Sequence, residues 1–136
     1  MTAEFSLDMA FTLASLLLMT LADFCDLCQG LPGAEETVPF GPDVLVYKVC
    51  GKMFAVAVPG EYPQRVGLKC DPERALELRD RYEDIVPGYH MNKKHWNTLH
   101  LEGQLPHALI VELIRHSYDL VVASLPRKLR AELQAR

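Results

Sequence analysis

The segment PGYHMNKKHWNTLHL, residues 87–101, concentrates side chains that could bind a ligand. It contains two lysines, three histidines, a tyrosine and the only tryptophan of the chain. Cationic groups attract phosphates, and an aromatic ring offers a surface on which a base can stack. These residue types predict a binding surface, and nucleic acid is the ligand that they favour.

The charges of the chain are unevenly distributed, although its net charge is -4 at pH 7. Residues 1–40 contain six acidic residues and no Lys or Arg, whereas residues 91–136 contain seven basic and four acidic ones. Residues 41–70 are also locally basic. A basic patch can bind an anion even on an acidic protein, so we expect an anion site in these later segments.

Metal and catalytic chemistry find little support in the sequence. Cys25 and Cys28 have CxxC spacing, but no second ligand pair follows that could complete a four-ligand zinc site. His90, His95 and His100 recur every five residues, a spacing that aligns them on neither a helix nor a strand. No P-loop, dinucleotide-binding fingerprint or nucleophile elbow occurs. We therefore expect no metal, no cofactor and no enzyme, and reduced thiols in a cytoplasmic protein.

Periodicity and turn residues predict an α+β fold, an antiparallel sheet with helices packed on one face. The apolar stretch at residues 9–22 is too short to cross a membrane and reads as part of the first helix. The elements expected are a helix from about residue 8 to 29, a short edge strand at 37–40, a hairpin of strands 44–50 and 53–58 around a Gly51-Lys52 loop, a strand at 65–70, a helix at about 72–83, a strand at 96–101, a long helix from 106 and a short helix after 126.

Alternation along the strands assigns one face to the core and one to solvent. The residues expected on the core face are Leu45, Tyr47, Val49, Phe54, Val56, Val58, Val66, Leu68, Leu99 and Leu101. The outward face is expected to display small residues (Ala55, Ala57, Gly67, Thr98), with Val46 and Met53, around Lys48, Arg65, Lys69, Trp96 and His100. A flat platform ringed by cations suits a phosphate backbone and a stacked base. Outward lysines are also common protection against edge aggregation, so this alternative stays open.

Five segments, LPGAEETVPFG, YKVCGKMFAV, LKCDPERALELR, PGYHMNKKHWNT and SYDLV, resemble in order and spacing the MmcQ/YjbR family of small bacterial proteins. The resemblance implies a CyaY-like (frataxin-like) fold and DNA binding through a double-wing arrangement. The family motif falls on Phe40, Gly41, Lys48, Lys52, Phe54, Lys69, His90, Asn92, Lys93, His95 and Trp96.

Members of this family tend to begin close to the position of Met19. The resemblance therefore divides the chain into an N-terminal extension at residues 1–18 and a family-like domain at residues 19–136. A start codon assigned too far upstream would account for the extension.

The function expected is DNA binding by a cytoplasmic, monomeric protein, through phosphate contacts of low sequence specificity. Lys93, Lys94 and His95 would extend the basic edge beside Asn92 and Trp96. The alternative is a protein-interaction or metal-delivery module that uses the same sheet face, as frataxin-like folds do. The salt dependence of binding distinguishes these two functions. Phosphate contacts by about four cations predict that log affinity falls with log salt concentration with a slope of roughly -3 to -4.

Overall fold

The computed structural model describes residues 19–89 and 91–135. Its helices are α1 (Leu21–Gln29), α2 (Pro72–Arg81), α3 (His107–Ala123) and α4 (Arg127–Gln134). Its strands are β1 (Ala34–Thr37), β2 (Leu45–Val49), β3 (Lys52–Ala57), β4 (Arg65–Lys69), β5 (Ile85–Pro87) and β6 (Trp96–His100). The fold is α+β, as the sequence predicts.

The six strands form one antiparallel sheet in the order β1-β2-β3-β4-β6-β5. Helix α3 packs along β2, β3 and β4, α1 lies against β1 and β3, and α2 lies against β5. The buried apolar side chains between the sheet and these helices form the core. The opposite face of the sheet, which we call the open face, is the place to look for a ligand.

Local signals fix where two of the helices begin. Thr20 caps α1 by accepting a hydrogen bond from the Asp23 backbone N–H, and the Asp23 carboxylate accepts one from the Thr20 backbone in return. Asp71 caps α2 through the Arg74 N–H, and Pro72 follows at the first helical position. These helix starts are therefore set by short-range chemistry that the sequence displays.

The β2–β3 hairpin turns at Cys50 and Gly51, one residue earlier than the predicted Gly51-Lys52 loop. Both residues have positive φ, 48° and 79°, as a two-residue type I′ turn requires. The register then shifts, because Tyr47 pairs with Ala55 while Lys48 pairs with Met53. Phe54 is thus an extra residue on β3, a β-bulge.

The bulge overturns the predicted faces of β3. Phe54 and Ala55 are adjacent in sequence, yet both are fully buried in the core. Beyond the bulge the alternation is reversed, so Ala57 also lies in the core and Val56 lies on the open face. The predictions for Ala55, Ala57, Val56 and Val58 were wrong for this reason. The core assignments of β2, β4 and β6 are confirmed.

Ser117 of α3 closes the gap that the bulge leaves between β3 and β4. The β3–β4 pairing ends at Ala55 and Leu68. Just beyond it, the buried Ser117 hydroxyl donates to the Phe54 carbonyl at 2.5 Å and accepts from the Lys69 N–H at 2.9 Å. One side chain therefore satisfies two backbone groups that the sheet does not pair.

Other differences from the predicted elements are smaller. The edge strand lies at Ala34–Thr37 instead of 37–40, α2 ends at Arg81, and the short strand β5 was not predicted. The first helix begins at Leu21, after the extended residue Thr20, so the prediction of one helix from about residue 8 to 29 was wrong at this point. Its predicted start near residue 8 falls outside the described residues. Within residues 19–89 and 91–135, no helix combines the length and apolarity needed to span a membrane.

Replacing Ser117 by Ala should destabilise the protein by about 1–3 kcal/mol, because it strands a buried carbonyl and a buried N–H. Urea unfolding followed by circular dichroism measures this loss. Ser124→Ala is the matched control, since Ser124 is exposed at the end of α3. Equal stabilities of the two variants would contradict the role assigned to Ser117.

Candidate nucleic-acid interface on the open face

Strand register brings open-face residues from neighbouring strands into rows across the sheet. The middle row runs through Val46, Val56, Gly67, Thr98 and Val86. On one side of it Lys48 pairs with Met53 and Lys69 with Trp96; on the other side Arg65 pairs with His100. The open face thus has an apolar centre with cations on both sides.

A groove of about 470 Å³ runs over this apolar centre. A volume of this size lies within the range of roughly 300–1,000 Å³ found for small-molecule and cofactor sites. The residues that line it are Phe40, Val44, Val56, Val58, Glu61, Arg65, Val66, Gly67, Tyr89, Met91 and Thr98. The flat platform expected from the sequence is therefore a concave and mainly apolar surface.

Two aromatic side chains stand at opposite sides of the groove. Phe40 comes from the β1–β2 connection and is 65% exposed, and Tyr89 comes from the segment after β5 and is 55% exposed. Large exposed rings beside an apolar groove are typical of contact sites. Of the two, Phe40 belongs to the family motif, whereas Tyr89 was counted only within the segment 87–101 and was not among the predicted site residues.

Arg65 contacts both the Tyr89 ring and a carboxylate. Its guanidinium lies 4.5 Å from the centre of the Tyr89 ring and forms an ion pair with Glu61. Glu61 was not among the predicted site residues. The only signal that the sequence offers for Glu61 is that it lies four residues before Arg65, the first residue of β4.

Lys48 and Lys69 lie on the open face, as predicted, and both are half-buried. Lys48 also lies opposite Glu35 of β1, which reduces the local positive charge. Lys52 is not on this face, because it pairs with the core residue Val49 and so points to the helix side, where its Nζ lies 3.4 Å from the Ser124 hydroxyl. His100 lies at the end of β6 and is half-buried.

Trp96 points to the open face but is not available for stacking. Only 8% of it is exposed, so the predicted exposure of this ring was wrong. The segment after β5 lies against it: the Gly88 N–H donates to the Trp96 carbonyl at 2.8 Å. A Cβ at Gly88 would stand 2.8 Å from the Trp96 Cβ, so only glycine permits this approach.

The loop at residues 91–95 is held by its own backbone and by α2. The Asn92 side chain accepts from the Lys94 N–H at 2.9 Å, and the Asn92 carbonyl accepts from the Trp96 N–H at 2.9 Å. Arg79 of α2 donates to the carbonyls of Lys93 and Trp96.

The side chains of this loop differ in exposure. Asn92, Lys93 and Lys94 are exposed, whereas His95 is half-buried. The Lys93 Nζ also donates to the Gly88 carbonyl at 3.3 Å. His90 lies outside the described residues. The two lysines therefore stand in solvent at the border of the open face, at the end of β6 that carries Trp96.

Three of the four cysteines, Cys25, Cys28 and Cys70, are poorly suited to ligand chemistry. Burial raises the pKa of Cys28 far above its ordinary value and raises that of Cys70 to about 11. Burial also raises the pKa of Cys25, which the hydrogen bond from Tyr47 partly offsets. These three thiols stay protonated at neutral pH. In the part of the chain that the structure describes, no group of three His, Cys, Asp or Glu side chains is arranged to hold a metal ion.

Comparison with known proteins decides the family. A family model described as YjbR matches residues 29–120. This chain belongs to the YjbR family. The match contains all six strands and every residue that lines the groove.

Curated relatives and solved structures support the same assignment. The chain is 37% identical over 112 residues to the uncharacterized protein YjbR of Escherichia coli K12, covering 82% of this chain and 95% of the relative. It is 42% identical to protein DR2400 of Deinococcus radiodurans, whose crystal structure superposes with a TM-score of 0.80 over 86% of this chain and 89% of that one. A Pseudomonas syringae protein of known structure is 31% identical with a TM-score of 0.66, over 75% and 98% of the two chains.

Replacing Gly88 by Ala should destabilise the protein by about 1–3 kcal/mol, because the added methyl group collides with Trp96. Urea unfolding measures the loss, and a red shift of the Trp96 emission should report that the ring has been displaced. Gly60→Ala is the control, since a Cβ there meets no heavy atom within 4 Å. An unshifted emission with unchanged stability would show that Trp96 is not held in this way.

Proposed function

We propose that this chain is a non-enzymatic DNA-binding protein that takes a single strand across its open face. The observation that carries the proposal is the groove with an exposed aromatic ring on each side and cations along its borders. In this arrangement one or two bases enter the groove and contact Phe40, while Lys48, Lys69 and the loop lysines contact phosphates. Base stacking and phosphate contacts are the two elements of single-strand binding.

The geometry favours a single strand over a duplex. In a duplex the faces of the bases are stacked on each other. The aromatic side chains beside the open-face groove therefore could not stack on them. Helices α1, α2 and α3 pack on the other side of the sheet, so they offer no reading helix at this face. Contacts to phosphate and to base faces carry little sequence information, so most positions of the strand are bound with low sequence specificity.

The finer description of the fold belongs to this proposal. We propose a CyaY-like arrangement with two wings, in which the loop that carries Lys93 and Lys94 is one wing and the β2–β3 hairpin beside Lys48 is the other. We also propose that the protein acts as a monomer in the cytoplasm. The four described cysteines are free thiols, which fits a reducing compartment.

A protein partner is the second candidate, in the manner of frataxin-like interaction modules. The observation that favours it is the exposed apolar pair Val38 and Phe40, next to the acidic residues Glu35 and Glu36. A partner held by apolar contact would respond weakly to salt. The salt dependence of binding therefore separates the two candidates.

Fluorescence anisotropy of a labelled oligothymidine strand, titrated from low to high salt, tests the proposal. Four phosphate contacts predict a log-log slope of roughly -3 for a single strand. The double substitution Lys48→Ala/Lys69→Ala should reduce the magnitude of the slope by about 1.4, since each contact contributes about 0.7. Arg127→Ala/Lys128→Ala is the matched control, because it removes the same charge from α4 in the helix layer.

Phe40→Ala separates stacking from charge in the same assay. It should weaken binding by about 1–3 kcal/mol and leave the salt slope unchanged, because it removes a ring and no cation. If the control on α4 lowers the slope as much as the open-face variant does, binding is general electrostatic attraction. If the strand does not bind at low salt, the DNA proposal is wrong.

A further inference from the structure

We infer that the groove selects guanine among the bases of the bound strand, through the paired side chains of Glu61 and Arg65. This inference rests on the proposed function and names the chemistry of the base that the same groove accepts. The observation behind it is the ion pair of Glu61 and Arg65, which a phosphate-binding role does not explain. A carboxylate beside a phosphate path repels the ligand, so Glu61 calls for a different role.

Glu61 and Arg65 offer a fixed set of acceptors and donors at the groove. They pair four residues apart, and their side chains remain 34% and 30% exposed, so both can still reach a ligand. The Glu61 N–H donates to the Val58 carbonyl at 3.1 Å, which fixes the turn that presents the carboxylate. Stacking over Tyr89 fixes the guanidinium in turn. Acceptor and donor are thus held side by side before any ligand arrives.

The base-pairing edge of guanine matches the acceptors of Glu61 and the donors of Arg65. It presents two adjacent donors, N1–H and N2–H₂, followed by the O6 acceptor. A carboxylate accepts two parallel N–H bonds, and Glu61 contacts Arg65 through one oxygen, Oε1. A guanidinium has five N–H donors, so Arg65 can donate to O6 while it remains paired. Guanine in this orientation satisfies both charged groups.

The other bases do not match. Adenine, cytosine and thymine each present at most one donor group on this edge, so a bound base would leave a Glu61 lone pair opposite an acceptor. An acceptor facing a carboxylate is repelled, and loss of one bond of a bidentate contact costs roughly tenfold in affinity. Because the ion pair is neutral as a unit, it favours an uncharged ring over an additional phosphate.

The floor of the groove has space for the flat ring. Gly67 lies at its centre, and a Cβ built there would meet the Val56 Cβ at 3.7 Å, an ordinary contact. An alanine at this position therefore fits the fold but raises the floor where the ring would lie. Phe40 stands at the edge of the same groove and offers a face for stacking.

The test compares oligothymidine strands that carry one central dG, deoxyinosine or dA, by fluorescence anisotropy at constant salt. Deoxyinosine keeps N1–H and O6 but lacks the N2 amino group. We expect the dG strand to bind about tenfold more tightly than either of the others. Glu61→Gln and Gly67→Ala should each remove this preference, whereas Glu73→Gln, an exposed acid of α2, should leave it intact.

A second arm uses free guanosine and inosine in equilibrium dialysis with the protein. Equal binding of the three strands would overturn the guanine inference and leave DNA binding in place. Guanosine binding that requires Glu61, without binding of any strand, would support the base site and overturn the DNA proposal. If neither a strand nor guanosine binds, both are wrong. Unfolding curves of Gly67→Ala, which we expect to match those of the unsubstituted protein, separate a loss of preference from a loss of fold.

Discussion

The Ser117 hydroxyl, placed between the Phe54 carbonyl and the Lys69 N–H, is the contact on which the arrangement of the sheet depends. The bulge at Phe54 interrupts the regular ladder, and a buried interruption is costly unless its polar groups find partners. Ser117 supplies both partners from α3. Because the bulge reverses the alternation of β3, it brings Phe54 and Ala55 together into the core and turns Val56 outward. The apolar floor of the groove follows from this reversal.

A second set of contacts shapes the border of the groove. Arg79 of α2 donates to the carbonyls of Lys93 in the loop and Trp96 in β6, and to the Asn97 side chain at 2.7 Å. Trp96 is buried under the segment that begins at Gly88, so it acts as a support for the loop and not as a stacking surface. The exposed rings at the groove are Phe40 and Tyr89, and both are carried by loops. The sheet thus forms a rigid floor, and the loops carry the exposed rings, as is common in binding proteins.

The sequence predicted what depends on local pattern. The helix start at Asp71, the core faces of β2, β4 and β6, and the open-face positions of Lys48 and Lys69 follow from caps and alternation. The start of α1 after Thr20 was not predicted, because the apolar run before it continues the helical pattern. The sequence did not predict the turn at Cys50, because a cysteine with positive φ is uncommon and nothing nearby indicates it. The burial of Trp96 and the ion pair at the groove were missed for another reason. They depend on contacts between segments distant in sequence or on side-chain positions that periodicity does not encode.

In the proposed function the open face, and not the helix layer, carries the ligand site. The most direct test maps chemical shifts of the isotope-labelled protein while an oligothymidine strand is added at low salt. We expect the shifts to concentrate at Val56, Gly67 and Thr98 and at the side chains of Phe40 and Tyr89. Shifts that concentrate on α3 and α4, with the open face unchanged, would contradict it.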